Sequence, residues 1–231
     1  MNQEHFVFDP SHFHSVSVSG GNTSAYMARH VQLANPDNPN ICYLFANTGL
    51  EHALTYEFLG EMVKHWDLPL VALEYIPVAP WFRTFKGTEI DQLARRGEPF
   101  AALMKKEGFW PDVHVRLCTS RLKIRTIHRF IKANMPEGLP KQFREVIGFR
   151  ADEAHRAKQD GFYPLIDANI TRPMILDWWK EQPFRLKLPI GGKKRETILG
   201  NCQLCFLKGR GKLFQEIRVL KRTGQDWVID F

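Results

Sequence analysis

The sequence predicts an α/β protein: a Rossmann-like open parallel sheet of about five strands with helices on both faces, plus an irregular helical insertion. Three observations carry this expectation. Apolar strand-like runs alternate with helix-like stretches through the first third of the chain, an order that implies parallel strands joined by right-handed crossovers. One of these runs, 41–45, is almost continuously apolar, as in a strand buried on both faces. The first run ends in a glycine turn, Ser19-Gly20-Gly21, directly before a helical pattern.

Along the chain, residues 13–18 alternate at period two, which fits a strand. Ala25, Met27, Ala28 and Val31 then recur at helical spacing within 23–33, and Asn35-Pro36 and Asn38-Pro39 break the chain. After the strand at 41–45, residues 52–66 read as a helix through Leu54, Phe58, Leu59, Met62, Val63 and Trp66. Residues 70–76 read as a third strand, stopped by Pro77 and Pro80. The segment 77–118 is irregular, with Trp81, Phe82, Phe85, Phe100, Phe109 and Trp110 among several Gly and Pro, and reads as an insertion over the strand ends. Further helices are expected over 120–133, 171–180 (with Pro173 tolerated in its first turn) and 205–221, and a further strand over 145–149. The chain reads as one domain, 1–231, ending in a cysteine motif and a helix at 200–231.

Composition narrows the function. The chain has 231 residues, 44% hydrophobic and 25% charged, which excludes disorder and fibrous repeats. Lys and Arg number 32 against 25 Asp and Glu, a net charge of +7, so an anionic partner is expected: nucleotide, sulfate or nucleic acid. Four cysteines are too few for a disulfide scaffold. No apolar run approaches the roughly 18 residues of a membrane span. The start, MNQEHFVFDP, lacks the basic region of a secretion signal. A cytoplasmic protein with no membrane partner is the expectation.

Two loops carry the chemistry. Ser19-Gly20-Gly21-Asn22-Thr23-Ser24 sits between strand and helix. Its glycines permit a tight turn, and the following helix offers free N–H groups and a positive dipole end. With the hydroxyls of Ser19, Thr23 and Ser24, this makes an anion cradle suited to phosphate; a simple capped turn is the plainer alternative. The pattern is neither a Walker loop nor the Gly-x-Gly-x-x-Gly fingerprint. A second loop, Phe45-Ala46-Asn47-Thr48-Gly49-Leu50-Glu51, follows the second strand. In a parallel sheet both loops leave the carboxyl ends of neighbouring strands, where ligands bind.

Taken together, these residues resemble the PP-loop superfamily of adenine-nucleotide alpha-hydrolase-like proteins, and within it the phosphoadenosine phosphosulfate reductase branch. The first loop resembles the PP-loop, and the second, with Tyr56-Glu57-Phe58, resembles that branch's second loop. Cys118-Thr119-Ser120-Arg121-Leu122-Lys123, Gly148-Phe149-Arg150-Ala151-Asp152-Glu153-Ala154-His155-Arg156, Tyr163-Pro164-Leu165-Ile166 and Ile170-Thr171 follow in the same order. The resemblance implies an adenosine nucleotide across the strand ends. It assigns Ser19, Gly20, Gly21, Asn22, Thr23 and Ser24 to phosphate or sulfate, and Thr48 and Gly49 to the nucleotide pocket. Arg121, Lys123, Arg150 and Arg156 would grip the charged end, since guanidinium groups bind phosphate bidentately, and Glu153 would orient Arg150 or Arg156. Two departures stand out. ATP-using relatives carry Lys or Arg and an Asp where this chain has Asn22 and Thr23. Thiol-using reductases carry a C-terminal Glu-Cys-Gly, whereas this sequence ends Asp226-Trp227-Val228-Ile229-Asp230-Phe231.

Cys202-Gln203-Leu204-Cys205 is a Cys-x-x-Cys, a spacing that lets two thiolates share a metal or cluster. The resemblance adds Cys118: iron–sulfur reductases use a Cys-Cys pair there, and position 117 is Leu in this chain. Three ligands, Cys118, Cys202 and Cys205, would hold a [4Fe–4S] cluster with one open iron. A Cys₃His zinc site, a redox-active Cys202/Cys205 pair and unligated thiols remain alternatives. Arg116, Arg121, Lys208 and Arg210 would stabilise thiolates. Cys42 reads as a core thiol, and His5, His12 and His14 as solvated surface.

The leading expectation is therefore an adenosine-nucleotide-binding enzyme with a cysteine-ligated cluster, in sulfonucleotide reduction or related sulfur or redox chemistry. An ATP-dependent adenylating or thiolating enzyme is the alternative. In that case Lys86, Arg95, Arg96, Lys105 and Lys106 would contact nucleic acid. A non-catalytic nucleotide sensor is a third possibility.

Overall fold

The computed structural model describes residues 3–159, 161–191, 196–197, 199–200, 202–224 and 227. Apart from Trp227, the tail residues Asp226 to Phe231 named above lie outside the described residues, as does Asn201.

A five-stranded sheet has the order β4-β3-β2-β1-β5. Its strands are β1 (His14–Ser17), β2 (Ile41–Asn47), β3 (Leu70–Tyr75), β4 (Phe82–Lys86) and β5 (Arg144–Val146). Helices α1 (Asn22–Ala34) and α2 (Ala53–Trp66) connect β1 to β2 and β2 to β3. Strands β1, β2, β3 and β5 run parallel. The expected α/β architecture is present, with one correction. The 77–118 segment is not wholly an insertion, because it supplies β4, which pairs antiparallel with β3 at the sheet edge (Val71 opposite Lys86, Tyr75 opposite Phe82). Its one-sided pattern, with Phe82 buried and Arg83, Thr84 and Lys86 exposed, suits an edge strand better than a central one. The same segment then forms α3 (Glu98–Glu107).

Helices cover both faces, and strand alternation explains the two layers. Tyr43 and Phe45 of β2, with Leu70 and Ala72 of β3, pack under Met27, Val31, Leu59 and Met62 of α1 and α2. Leu44 and Leu73 point the other way, against Ile131, which belongs to α4 (Thr126–Asn134). This explains why 41–45 is continuously apolar: both sides of the strand are buried. A third cluster, including Leu50, Tyr75, Phe100, Leu103, Leu117 and Leu122, caps the carboxyl ends of the strands.

Two further helices differ from expectation. The helix expected over 120–133 starts as a π-helix, Cys118–Arg125, before continuing as α4. Thr126 Oγ1 donates to the Arg121 carbonyl at 3.0 Å within that wider turn, and π-turns concentrate at functional sites. After the four-residue α5 (Pro164–Asp167), α6 (Arg172–Lys180) starts with Pro173 in its first turn, as expected. The last helix, α7 (Arg210–Arg222), begins five residues after Cys205 because a turn precedes it. No helix of the described residues is long and apolar enough to cross a membrane.

His14 corrects the solvated reading of the N-terminal histidines. It is fully buried, stacked on Phe8 at 4.7 Å, because β1 is covered on both faces and buries His14, Ser15 and Val16 alike. Burial first, then the Arg144 charge, pushes its pKa down from 6.5 to about 4. The fold therefore prefers neutral imidazole, while the unfolded chain takes up a proton near 6.5. Stability from this group is present above that pH and falls as pH drops from 6.5 toward 4. His14→Phe is expected to flatten the acid limb of a thermal-unfolding series over that range; parallel limbs for both proteins would refute the assignment.

Candidate functional site: a cation-lined cavity beside three cysteines

The chain runs β1, β2, β3 and β4 outward in one direction and returns to place β5 on the other side of β1. The crevice between the loops after β1 and β5 is thus the topological switch point, where open α/β sheets bind ligands. A cavity of about 580 Å³ lies there. One wall is Ser17 and the loop from Ser19 to Ser24, and the opposite wall is Ile147 to Arg150. Ile175, Leu176, Leu186 and Leu188 supply an apolar side, suited to the face of a nucleobase. Among its described lining residues the cations are Lys123, Arg150, Arg156, Arg172 and Lys212, against the carboxylates Glu51 and Glu153.

The first loop is tied from within. Ser24 Oγ accepts from Ser19 N–H at 3.0 Å, shares a 3.0 Å bond with Ser19 Oγ, and donates to the Gly21 carbonyl at 3.1 Å. Ser24 thus spends its hydroxyl on loop shape. Gly20 has φ +73°, and a Cβ there would collide with Thr55 of α2, so only glycine fits. Gly21 precedes α1 without a side chain to cap it, which leaves the first-turn N–H groups beside the cavity. On the other wall, a Cβ on Gly148 would lie 3.4 Å from Ser24 Cα, so the two loops close on each other.

Arg150 joins the walls. Its Nη1 donates to Thr23 Oγ1 at 3.3 Å, while Asp152 takes its Nε and Nη2 at 3.0 and 2.9 Å. The Asp152 hydrogen bond holds this guanidinium firmly charged. Glu153 pairs with both arginines, at 3.0 Å to Arg150 and 2.6 Å to Arg156, so it orients the two together. Arg156 lies over the Phe149 ring at 4.3 Å. Asp152 also accepts from Arg172 N–H at the start of α6.

The cysteine side adjoins this cavity through Glu51 and Lys123. Glu51 is buried, accepts from Thr48 Oγ1 at 3.0 Å, lies 3.6 Å from Cys202 Sγ, and pairs with Lys123 at 3.9 Å. Burial lowers the Lys123 pKa, but Cys202, Glu51, Cys118 and Cys205 outweigh it and hold the ammonium above its ordinary value. Burial first, then Glu51, pushes the Cys202 thiol up to about 11 against the opposing pull of Lys123. Among the described residues, no group of three or more His, Cys, Asp or Glu side chains stands at metal-ligand spacing. Cys118 and Cys202 pack against the same apolar cluster, and a metal bound there would have to displace the thiol protons.

That turn is anchored twice. Gln203 N–H donates to the Leu50 carbonyl at 2.7 Å. Lys208 Nζ donates to the Cys202 carbonyl at 2.7 Å and pairs with Glu216 of α7, also at 2.7 Å, with both side chains almost fully buried.

Of the expected ligand residues, Ser19, Gly20, Gly21, Asn22, Thr23, Ser24, Lys123, Arg150 and Arg156 line the cavity. Arg121 does not; it pairs with Glu107 of α3 at 3.8 Å. Thr48 and Gly49 are not on its wall either. Thr48 lies 3.5 Å from Cys202, and the Gly49 carbonyl accepts from Gly97 N–H at 2.9 Å. Cys42 is half-buried rather than fully enclosed, and desolvation raises its thiol to about 12. Arg172 and Lys212 belong to none of the recognised motifs and reach the cavity only through the packing of α6 and α7. Glu51 ended the second-loop motif, but only the fold places its carboxylate beside Cys202. The expected nucleic-acid contacts of the insertion are partly spent locally: Arg95 lies over Tyr56 at 4.8 Å, Arg96 over Trp227 at 5.9 Å, and Lys106 over Trp81 at 3.6 Å.

The fold and site together define an open α/β protein with a cation-lined cavity at its strand ends and a cysteine-bearing turn alongside. The chain is 33% identical over 206 residues to a protein of Escherichia phage lambda named "Uncharacterized nin region protein ORF290", covering 86% of this chain and 67% of that relative. The chain belongs to the family of that phage lambda protein. No protein-family model matches it.

The Lys208–Glu216 pair yields a stability test. Lys208→Met leaves a buried carboxylate without its partner and is expected to cost about 3–5 kcal/mol in chemical denaturation, while adding Glu216→Leu recovers most of the loss. A single variant within about 0.5 kcal/mol of wild type would mean that the pair does not hold the turn.

Proposed function

We propose that the protein is an adenosine-nucleotide-binding enzyme of the phosphoadenosine phosphosulfate reductase-like branch of the PP-loop superfamily. The observation that carries the reading is the cavity at the β1/β5 switch point, which joins a glycine turn and helix N-terminus to Arg150, Arg156, Arg172, Lys123 and Lys212. Its size suits a nucleotide. The apolar side would take the base, and the loop N–H groups and guanidinium groups would take phosphate or sulfate.

Cys118, Cys202 and Cys205 would hold a [4Fe–4S] cluster, with zinc as the rival occupant. When bound, the cluster supplies redox or sulfur-carrying capacity and a local field beside the nucleotide. Lys123 bridges the two regions, lining the cavity and pairing with Glu51 beside Cys202. It can neutralise an anionic nucleotide at the end nearest the cysteines. Glu51 holds Lys123 in place and accepts from Thr48. The reaction class that fits is sulfonucleotide reduction or related sulfur or redox chemistry, in a protein expected in the cytoplasm.

Calorimetric titration with ATP, adenosine phosphosulfate and phosphoadenosine phosphosulfate tests the pocket. Arg156→Glu and Arg172→Glu are each expected to weaken binding of the preferred nucleotide at least tenfold, about 1.4 kcal/mol, with the fold intact. If neither variant changes affinity, the cavity is not the nucleotide site. Pyrophosphate release from labelled ATP would redirect the assignment to adenylation.

Metal analysis of anaerobically purified protein tests the cysteines separately. Iron and sulfide with broad visible absorbance are expected, and Cys202→Ser is expected to lose them. A colourless protein with stoichiometric zinc would assign the site to zinc instead.

A further inference from the structure

The surface of α7 opposite its buried side has no role in the reading above. The helix buries Glu216 and Leu220 and turns Lys212 to the cavity. Arg210, Phe214, Arg218 and Lys221 recur at spacings of four, four and three residues, one above another on a single face. All four are exposed, and Phe214 is 64% exposed. Arg222 flanks them, also exposed. Among the described residues none of these four cations forms a salt bridge. The only carboxylate in the helix, Glu216, is buried against Lys208. The outer face is therefore uniformly positive around one bare aromatic ring.

We propose that this face of α7 docks single-stranded nucleic acid. Arg210, Arg218, Lys221 and Arg222 neutralise backbone phosphates, and Phe214 offers a stacking platform for an unpaired base. From Arg210 to Lys221 the ridge runs about 16 Å at 1.5 Å per residue, long enough for several consecutive phosphates. Charge complementarity selects a polyanion. The lone central ring between cations selects a strand with accessible bases over a duplex. It also disfavours a membrane, because an interfacial helix needs a broad apolar face and this one exposes a single large side chain. Lys212, on the cavity wall, lies two residues from Arg210 and from Phe214 and therefore on the other side of the helix, which keeps a docked strand apart from the cavity. Docking itself does not depend on what the cavity binds.

Fluorescence anisotropy with labelled mixed-sequence 20-nucleotide RNA and DNA strands tests this on the full chain. Wild type is expected to bind with an affinity that falls with salt, with a log–log slope of about −3 for four phosphates. Arg218→Glu/Lys221→Glu is expected to lose at least tenfold in affinity and to flatten that slope by about 1.4. Phe214→Ala is expected to lose severalfold with the slope unchanged, which separates stacking from charge. Calorimetric titration of the same variants with the cavity's nucleotide is expected to match wild type, so failure of the docking face is distinguishable from failure of the pocket. The proposal is overturned if wild type binds neither strand at 50 mM salt, if the double variant binds like wild type, or if phosphatidylserine vesicles bind more tightly than either strand.

Discussion

The pairing of β1 with strands on both sides is the constraint from which the site follows. His14 to Val16 hydrogen-bond to β5 while His14 to Ser17 align with β2. That places the loop after β1 against the loop after β5, about 125 residues later in the chain. The close approach of Gly148 to Ser24 and the Arg150–Thr23 hydrogen bond both depend on it. Without β5 in this place, the glycine turn would be a capped helix start with no opposite wall. The charge on that wall is in turn held by carboxylates. Asp152 and Glu153 fix Arg150 and Arg156 at bonding distance, so the cations are ordered before any ligand arrives, which lowers the entropy cost of gripping one.

A second layer is built over the strand ends by segments far apart in sequence. Leu50, Phe100, Leu117, Leu122 and Leu220 share one apolar cluster. It brings the second loop, α3, the π-helix and α7 into contact. The Gln203–Leu50 backbone bond and the buried Lys208–Glu216 pair then set the cysteine turn beside Thr48 and Glu51. The cavity and the cysteine turn thus meet at Lys123 and Glu51.

The legibility of these features differed by physical cause. Strands β1, β2 and β3 and helices α1, α2 and α6 could be read because their burial imposes period two, continuous apolarity or period 3.6 on the sequence. Strand β4 could not. It lies at an edge with one face exposed, and its aromatic residues resembled those of an irregular insertion. His14 was misjudged for a related reason: a lone polar residue carries no periodic signal, and its burial depends on Phe8 stacking from outside the strand. Short motifs located the cavity loop and the Arg150–Arg156 segment, since glycine turns and clustered charge are local features. Arg121 carried the same local signal, yet the wide π-turn directs it to Glu107.

The sequence by itself determined the α/β class, the glycine turn between β1 and α1 and the basic character of the chain, because each rests on neighbouring residues and short-range sterics. Only the tertiary structure decided which cations reach the cavity, that Glu51 lies between Thr48, Cys202 and Lys123, and that α7 divides into a buried face, a cavity face and a bare basic face. Those outcomes depend on long-range packing across the strand ends, where residues more than a hundred positions apart meet, and no local pattern records which of them will do so.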